Sequence, residues 1–111
     1  MSRKTTETPE QYNERIRKRD EEDIRSILKT EYGKRFIWKL LGICGTFHQS
    51  IVMGSPDASA FNEGRRSIGN TLLAQVLEVR PESYIEMSKM AKGDEHDRRM
   101  VEAANNTEEP R

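Results

Sequence analysis

The same three-part helix-start signal occurs twice in this sequence and divides the chain into helical segments. Thr8-Pro9-Glu10 and Ser55-Pro56-Asp57 each place a hydroxyl residue before a proline and an acid. A hydroxyl side chain caps the first N–H groups of a helix, and proline is tolerated in the first turn because its missing N–H would have no partner there. Pro81-Glu82 is a shorter version of the signal. These positions predict an all-α fold.

The apolar pattern between these signals predicts a small bundle of three to four helices with disordered polar termini. We expect helices over about residues 9–29, 31–44, 56–80 and 82–91, within a helical domain spanning residues 9–91. Residues 1–8 are polar, and residues 92–111 are acidic and nearly free of large apolar side chains. Both ends are therefore predicted to be disordered.

Length and charge restrict the classes of function. The chain has 111 residues, and its 19 Lys/Arg balance its 19 Asp/Glu. This balance lacks the basic footprint of wholesale nucleic-acid binding. One cysteine, Cys44, excludes an internal disulfide, and the longest apolar stretch, residues 36–47, is about half of the ~20 residues that a membrane span requires. We expect no membrane span and a protein that is cytosolic or packaged from the cytosol.

Catalytic and metal-binding motifs are not recognisable in the sequence. No phosphate-binding glycine loop, nucleophile elbow or zincin helix is present, and no signal assigns a base to Ser67. Asp94-Glu95-His96-Asp97 has metal-ligand residue types, but a solvated charge cluster is the commoner explanation for such a run. We therefore predict no catalytic, cofactor-binding or metal-binding residues, no cofactor, and a protein that is not an enzyme.

The most distinctive stretch is Phe61-Asn62-Glu63-Gly64-Arg65-Arg66, near the start of the third predicted helix. At about 100° per residue, Phe61 lies on the apolar face of that helix with Ile68, Leu72, Val76 and Val79. Arg65 falls within this face and Arg66 at its edge. A cation among apolar side chains is costly unless it is paired, so both arginines are predicted to make specific contacts.

Two kinds of contact would satisfy this requirement. The first is an internal ion pair with Asp20 or Asp23 on the first helix, which we favour, and the second is a contact between subunits. Glu63 can also pair locally with Arg66, three residues later. Gly64 and Gly69 each cost a helix about 1 kcal/mol relative to alanine, which indicates close approach of another helix.

Two further features are candidates for interaction. Trp38 lies opposite the apolar stripe of the second predicted helix, and exposed tryptophan is over-represented among binding hot spots. Burial under the following loop or the fourth helix explains it equally well. The basic run Arg15-Ile16-Arg17-Lys18-Arg19 reads as a solvated helix face, although it could contact phosphates.

Two segments resemble a known family. The first runs from Asp23-Ile24-Arg25 to Gly33-Lys34-Arg35-Phe36-Ile37-Trp38-Lys39-Leu40-Leu41, and the second is Phe61-Asn62-Glu63-Gly64-Arg65-Arg66-Ser67-Ile68-Gly69 with Leu72-Leu73. Over about residues 20–90, the chain resembles a small helical domain family that is named after a Bordetella phage protein. The family is encoded among the virion structural genes of tailed, mostly short-tailed, phages.

The resemblance implies a setting but no site residues. It implies a non-enzymatic phage virion or virion-assembly protein, located in the virion and in the host cytoplasm during assembly. The expected partners are other virion proteins (portal, capsid-interior or ejection proteins) or a second copy of the chain. A DNA-binding or packaging accessory, using residues 15–19 with Arg65 or Arg66, is the alternative.

Overall fold

The computed structural model describes residues 6–47 and 52–108, and over these residues the chain forms four α-helices without strands. Helix α1 spans Pro9–Leu28, α2 spans Glu31–Ile43, α3 spans Pro56–Val79 and α4 spans Glu82–Glu108. The predicted all-α bundle is confirmed. The parts of the predicted disordered ends at residues 1–5 and 109–111 lie outside the described residues.

The two full start signals cap their helices as expected, and Thr30 caps α2 in the same way. Thr8 and Gln11 form a reciprocal capping box at the start of α1, in which each side chain bonds the main chain of the other residue. Thr30 accepts a hydrogen bond from the Gly33 N–H at the start of α2, and Ser55 accepts one from the Ala58 N–H at the start of α3. Each cap satisfies a main-chain donor that has no partner within its helix.

The core is small and draws on all four helices. Its buried apolar residues are Leu28, Ile37, Leu41, Val76 and Met87, with Ile24, Trp38, Leu72 and Leu73 packed around them. Fully burying a side chain of this size contributes about 1.5–3 kcal/mol. So few buried residues give a modest stability that is sensitive to each contact between helices.

The molecule is extended rather than compact. Its radius of gyration is 20.5 Å and its principal dimensions are 78 × 40 × 29 Å, whereas a compact chain of this length has a radius near ~13 Å. The extended shape leaves much helical surface without a covering element.

Over the described residues, no helix combines the length and apolar character needed to cross a bilayer.

The last helix extends further than predicted. The expected helix over residues 82–91 with a disordered tail from residue 92 is replaced by one continuous helix to Glu108. Arg98 pairs with Glu95 three residues earlier and with Glu102 four residues later, and Arg99 also reaches Glu95. Pairs at these spacings stabilise a helix without a core contact, so apolar content alone underestimated its length.

Candidate protein-docking site

Arg65 links the end of α2 to the start of α3. Its Nη1 atom donates a 2.8 Å hydrogen bond to the carbonyl oxygen of Ile43, and its Nη2 atom donates one of 3.0 Å to Asn62 Oδ1. The guanidinium carbon lies 5.4 Å from the centre of the Phe61 ring, within the range of a cation–π contact. The predicted specific contact exists, and it is made inside the chain.

The prediction that Asp20 or Asp23 pairs with the arginines of α3 was wrong. Over the described residues, neither Asp20 nor Asp23 pairs with Arg65 or Arg66, and Asp20 lies beside Arg19 instead. Arg65 reaches the exposed carboxyl end of α2, where unpaired carbonyl groups accept hydrogen bonds from a cation. A carboxylate is therefore not needed to compensate its charge.

Arg66 makes the local contact predicted for it. Its Nη1 atom lies 3.6 Å from Glu63 Oε1, and its side chain is about half buried. Its Nε atom is buried and has no hydrogen-bond partner within the described part of the chain. Arg66 thus contributes charge at the edge of the bundle and makes few polar contacts of its own.

Gly69 is the point at which α3 packs against the end of α2. A Cβ atom added there would lie 1.9 Å from Thr46 Oγ1 and 2.8 Å from Cys44 Cβ, both far inside van der Waals contact. The close approach predicted for Gly69 is confirmed. The same expectation for Gly64 was wrong, because no described atom outside the backbone of α3 lies within 4 Å of the corresponding position.

Phe61 does not belong to the core, contrary to the sequence prediction. Its side chain is 67% exposed and that of Ile68 is 68% exposed, whereas Val76 is fully buried. The buried line of α3 runs through Gly69 and Val76, and Phe61 and Ile68 lie about 60–80° around the helix from Val76. Close packing at Gly69 turns these two apolar side chains outward.

The second helix has a matching outward stripe. Ile37 and Leu41 face the core, while Phe36 is 62% exposed and Ile43 is 56% exposed. Arg65 links the Ile43 end of this stripe to α3, because it bonds the Ile43 carbonyl and lies over the Phe61 ring. We call the exposed side chains of Phe36, Ile43, Phe61 and Ile68, with Arg65, the α2–α3 apolar face.

Sequence reasoning missed the exposure of Phe36, Ile43 and Ile68, although a signal for it was present. The apolar half of α2 contains two parallel stripes, Phe36-Leu40-Ile43 and Ile37-Leu41-Cys44. A helix in a small bundle covers one such stripe. The excess width of the apolar sector was the sign that part of it faces outward.

Trp38 is half buried rather than freely exposed. Its ring stacks on Phe47 with centroids 4.9 Å apart and tilts against Tyr84 at 5.8 Å. Tyr84 belongs to the fourth helix and Phe47 follows α2, so both elements that could cover Trp38 contact it. The remaining open side of the ring borders a cavity between α2 and α4.

The basic run of α1 is compensated by acids of the same helix or its start. Arg15 bonds Glu7 at 2.9 Å, Arg17 bonds Glu14 and Glu21, and Arg19 contacts Asp20. The Arg15 guanidinium donates hydrogen bonds to the Glu7 carboxylate, which stabilises its charged form and lowers its pKa. These pairs leave little uncompensated positive charge on the helix.

The run Asp94-Glu95-His96-Asp97 on α4 has the residue types of a metal site. In the described part of the chain, no three His, Cys, Asp or Glu side chains are placed to hold a metal ion together. His96 and Asp94 are both exposed on α4, while Glu95 is engaged by Arg98 and Arg99.

Comparison with known proteins identifies the family. A family model described as Bbp19-like phage protein matches residues 24–89, which is more than half of the chain. The chain belongs to the family of Bbp19-like phage proteins. Neither a curated protein nor a solved structure matches it.

The region matched by the family model covers the core of this Bbp19-like protein. Residues 24–89 include the end of α1, all of α2 and α3, and the first part of α4. They contain every core residue and the whole α2–α3 apolar face. The first half of α1 and the extension of α4 beyond residue 89 lie outside the match.

Proposed function

We propose that this phage protein is a non-enzymatic component of the virion, or of its assembly, that acts through helix-mediated protein contacts. We place it among the internal or ejected proteins or near the portal, and in the host cytoplasm during assembly. The observation that carries the proposal is the α2–α3 apolar face, which exposes two large apolar side chains from each of two adjacent helices.

The energetics of this face favour a protein partner. Removing a Phe or Ile side chain from water contributes about 1.5–3 kcal/mol. Exposing Phe36, Ile43, Phe61 and Ile68 together forgoes that stabilisation, which docking to another apolar surface would recover. Large apolar side chains exposed on adjacent helices are typical of a protein interaction surface.

Arg65 gives this face a polar centre. Its guanidinium is exposed and held by Ile43, Asn62 and Phe61. Because it is held, binding a partner's carboxylate or carbonyl oxygen costs little additional side-chain entropy. Arginine is one of the residues enriched in the centres of interfaces.

The alternative function, binding or packaging DNA, has less support. The arginines of residues 15–19 are paired with acids, and Arg66 lies 3.6 Å from Glu63 Oε1, so few uncompensated cations accompany Arg65. A DNA-binding surface requires uncompensated cations that displace counterions from phosphates. A gel shift at low salt that retarded DNA, with steep loss as salt is added, would favour this alternative.

Quantitative mass spectrometry of purified particles tests the proposal. Washed virions should contain the protein at a fixed copy number relative to the major capsid protein. Its absence from washed particles and from isolated assembly intermediates would overturn the proposal. Light scattering of the isolated protein distinguishes self-association from docking to a different virion protein.

A further inference from the structure

A second surface, separate from the α2–α3 apolar face, lies where α4 diverges from α2. It is a cavity of about 330 Å³ that we call the α2–α4 groove. Its floor is formed by Trp38, Met90 and Ala91, and its α2 wall carries Arg35 and Lys39. The floor is apolar and partly open to solvent, while one wall is basic.

The floor is well suited to an apolar anchor from another molecule. Trp38 is fixed from behind by Phe47 and Tyr84, so it presents a rigid ring edge at low entropic cost. Met90 is half buried beside it. Methionine adapts its shape to an incoming side chain, so the groove combines one rigid and one adaptable contact.

The basic wall has charge available for a partner. Lys39 is exposed and forms no ion pair with any residue that the structure describes, and Arg35 approaches only Glu31, at 3.8 Å. Lys34, by contrast, is largely buried and already bonds Glu86 at 3.2 Å. Arg35 and Lys39 are thus the cations of this wall that can receive new carboxylates.

The α4 wall has a different charge pattern. Glu95 and Arg98 pair with each other, which neutralises both, and Asp94 adds one exposed negative charge. An occupant would therefore meet positive charge along α2 and weakly negative charge along α4. This asymmetry favours one orientation of an occupant whose two edges differ in charge.

The face of α4 that lines the groove continues along the helix beyond Arg98. Val101 is 61% exposed and lies three residues after Arg98, on the side of α4 that lines the groove. At 1.5 Å per residue, Val101 is about 15 Å beyond Ala91. A second apolar contact at that distance suits an elongated occupant rather than a small molecule.

We propose that the α2–α4 groove binds an amphipathic helix of another protein, with its apolar stripe on Trp38, Met90 and Val101. An acidic edge of that helix faces Arg35 and Lys39. The inference rests on the proposed function of helix-mediated contact and adds the chemistry of the partner segment. Such binding extends the bundle by one helix, in the manner of helix-in-groove recognition.

Two synthetic helical peptides of about five turns provide the probe. Both carry the same leucine stripe, and one carries glutamates along one edge where the other carries lysines. The full-length protein should bind the glutamate peptide more tightly, as measured by fluorescence anisotropy. Binding should also shift the emission of Trp38, which is the chain's one tryptophan.

Charge reversal provides the decisive comparison. The double substitution Arg35→Glu/Lys39→Glu should weaken binding of the glutamate peptide about tenfold and make the lysine peptide the better ligand, because two partly exposed pairs contribute about 1.4 kcal/mol together. Lys18→Glu/Lys29→Glu reverses the same number of charges on α1 and its C-cap and should leave the preference between peptides unchanged.

Several outcomes would overturn the inference. They are equal binding of the two peptides, absence of binding, or equal loss of binding in both charge-reversal variants. A stable dimer in light scattering that Met90→Glu dissociates would instead assign the groove to a second copy of the chain. None of these results depends on the virion copy number, so the inference can fail while the proposed function stands.

Discussion

Arg65 closes the end of α2 from the neighbouring helix: its Nη1 atom lies 2.8 Å from the carbonyl oxygen of Ile43, the last residue of α2. The last turn of α2 has no basic residue of its own. Terminal carbonyl groups of a helix have no partner within it and carry its negative dipole end. A cation from α3 therefore satisfies a requirement created by α2.

The substitution Arg65→Ala should lower the stability of the monomer. Loss of a charged hydrogen bond to an exposed carbonyl should cost about 1 kcal/mol, which lowers the melting temperature of a domain of this size by about 4–8 °C. Arg19→Ala, which removes one exposed ion pair with Asp20, should change it little. Circular dichroism measures the melting temperature, and light scattering measures the molecular mass in solution. A changed mass with an unchanged melting temperature would place the contact between subunits.

Replacing each glycine of α3 by alanine should change the stability of the protein in opposite directions. Gly64→Ala should stabilise the protein by up to about 1 kcal/mol, because it improves helix propensity where no described atom outside the backbone of α3 lies within 4 Å. Gly69→Ala should destabilise it by about 1–3 kcal/mol, because the new methyl group overlaps Thr46 and Cys44. Urea denaturation measures both, and stabilisation by Gly69→Ala would contradict the packing of α3 on α2.

The carboxyl-terminal part of α4 should lose helix at low pH. The Arg98 hydrogen bond lowers the pKa of Glu95 from about 4.5 to about 2. Because the folded pKa lies below the unfolded one, the stabilisation is fully present above pH ~4.5 and is lost as the pH falls toward ~2. Amide NMR shifts of residues 94–106 should report this loss.

Glu95→Gln is the matched control for that titration. It keeps the size of the side chain and removes its ionisation, so the variant should have less helix in residues 94–106 at neutral pH. It should also show a smaller change between pH 4.5 and pH 2. An unchanged titration in the variant would show that other carboxylates control this segment.

The apolar side chains of the α2–α3 apolar face should be needed for incorporation of the protein into virions and should contribute little to its folding stability. Phe61→Ser/Ile68→Ser removes two side chains that are mostly in water already, so we expect a small change in the free energy of unfolding. We expect reduced copy number in virions produced by complementation, measured by mass spectrometry. Tyr32→Ser/Met53→Ser, at two other exposed sites, should retain normal incorporation.

Glu86 should couple three parts of the bundle. It bonds Lys34 of α2 at 3.2 Å and also accepts a hydrogen bond from Arg80, which follows α3. The Arg80 hydrogen bond lowers the pKa of Glu86. Glu86→Ala should destabilise the fold only modestly, since the carboxylate is partly exposed and solvent screens its ion pairs. A double-mutant cycle with Arg80→Ala should give non-additive losses; additive losses would contradict the coupling.

Local signals predicted the helices well because the cap and proline positions act within one turn. Thr8, Thr30 and Ser55 each begin a helix within a residue of its expected position. The end of α4 was not predictable from apolar pattern, since ion pairs around Arg98 support it. Charge spacing at three and four residues carried that information.

The site was less predictable because burial depends on the direction in which a helix packs. Periodicity placed Phe61 and Val76 on one broad apolar face, but only contact at Gly69 determines which edge of that face is covered. The same limit applies to Arg65. The apolar residues around Arg65 on α3 indicated that it needs a partner. Its actual partner, the Ile43 carbonyl, could not be predicted because only the packing of α3 on α2 brings the two together.

The extension of α4 also sets a distance. From Ala91 to Glu108 the helix rises about 25 Å, and its charged pairs keep it helical without lateral support. A label or tether attached near Glu108 would therefore be held away from the core by a semi-rigid spacer. The extension therefore sets a fixed distance of about 25 Å between the bundle and the carboxyl end of α4.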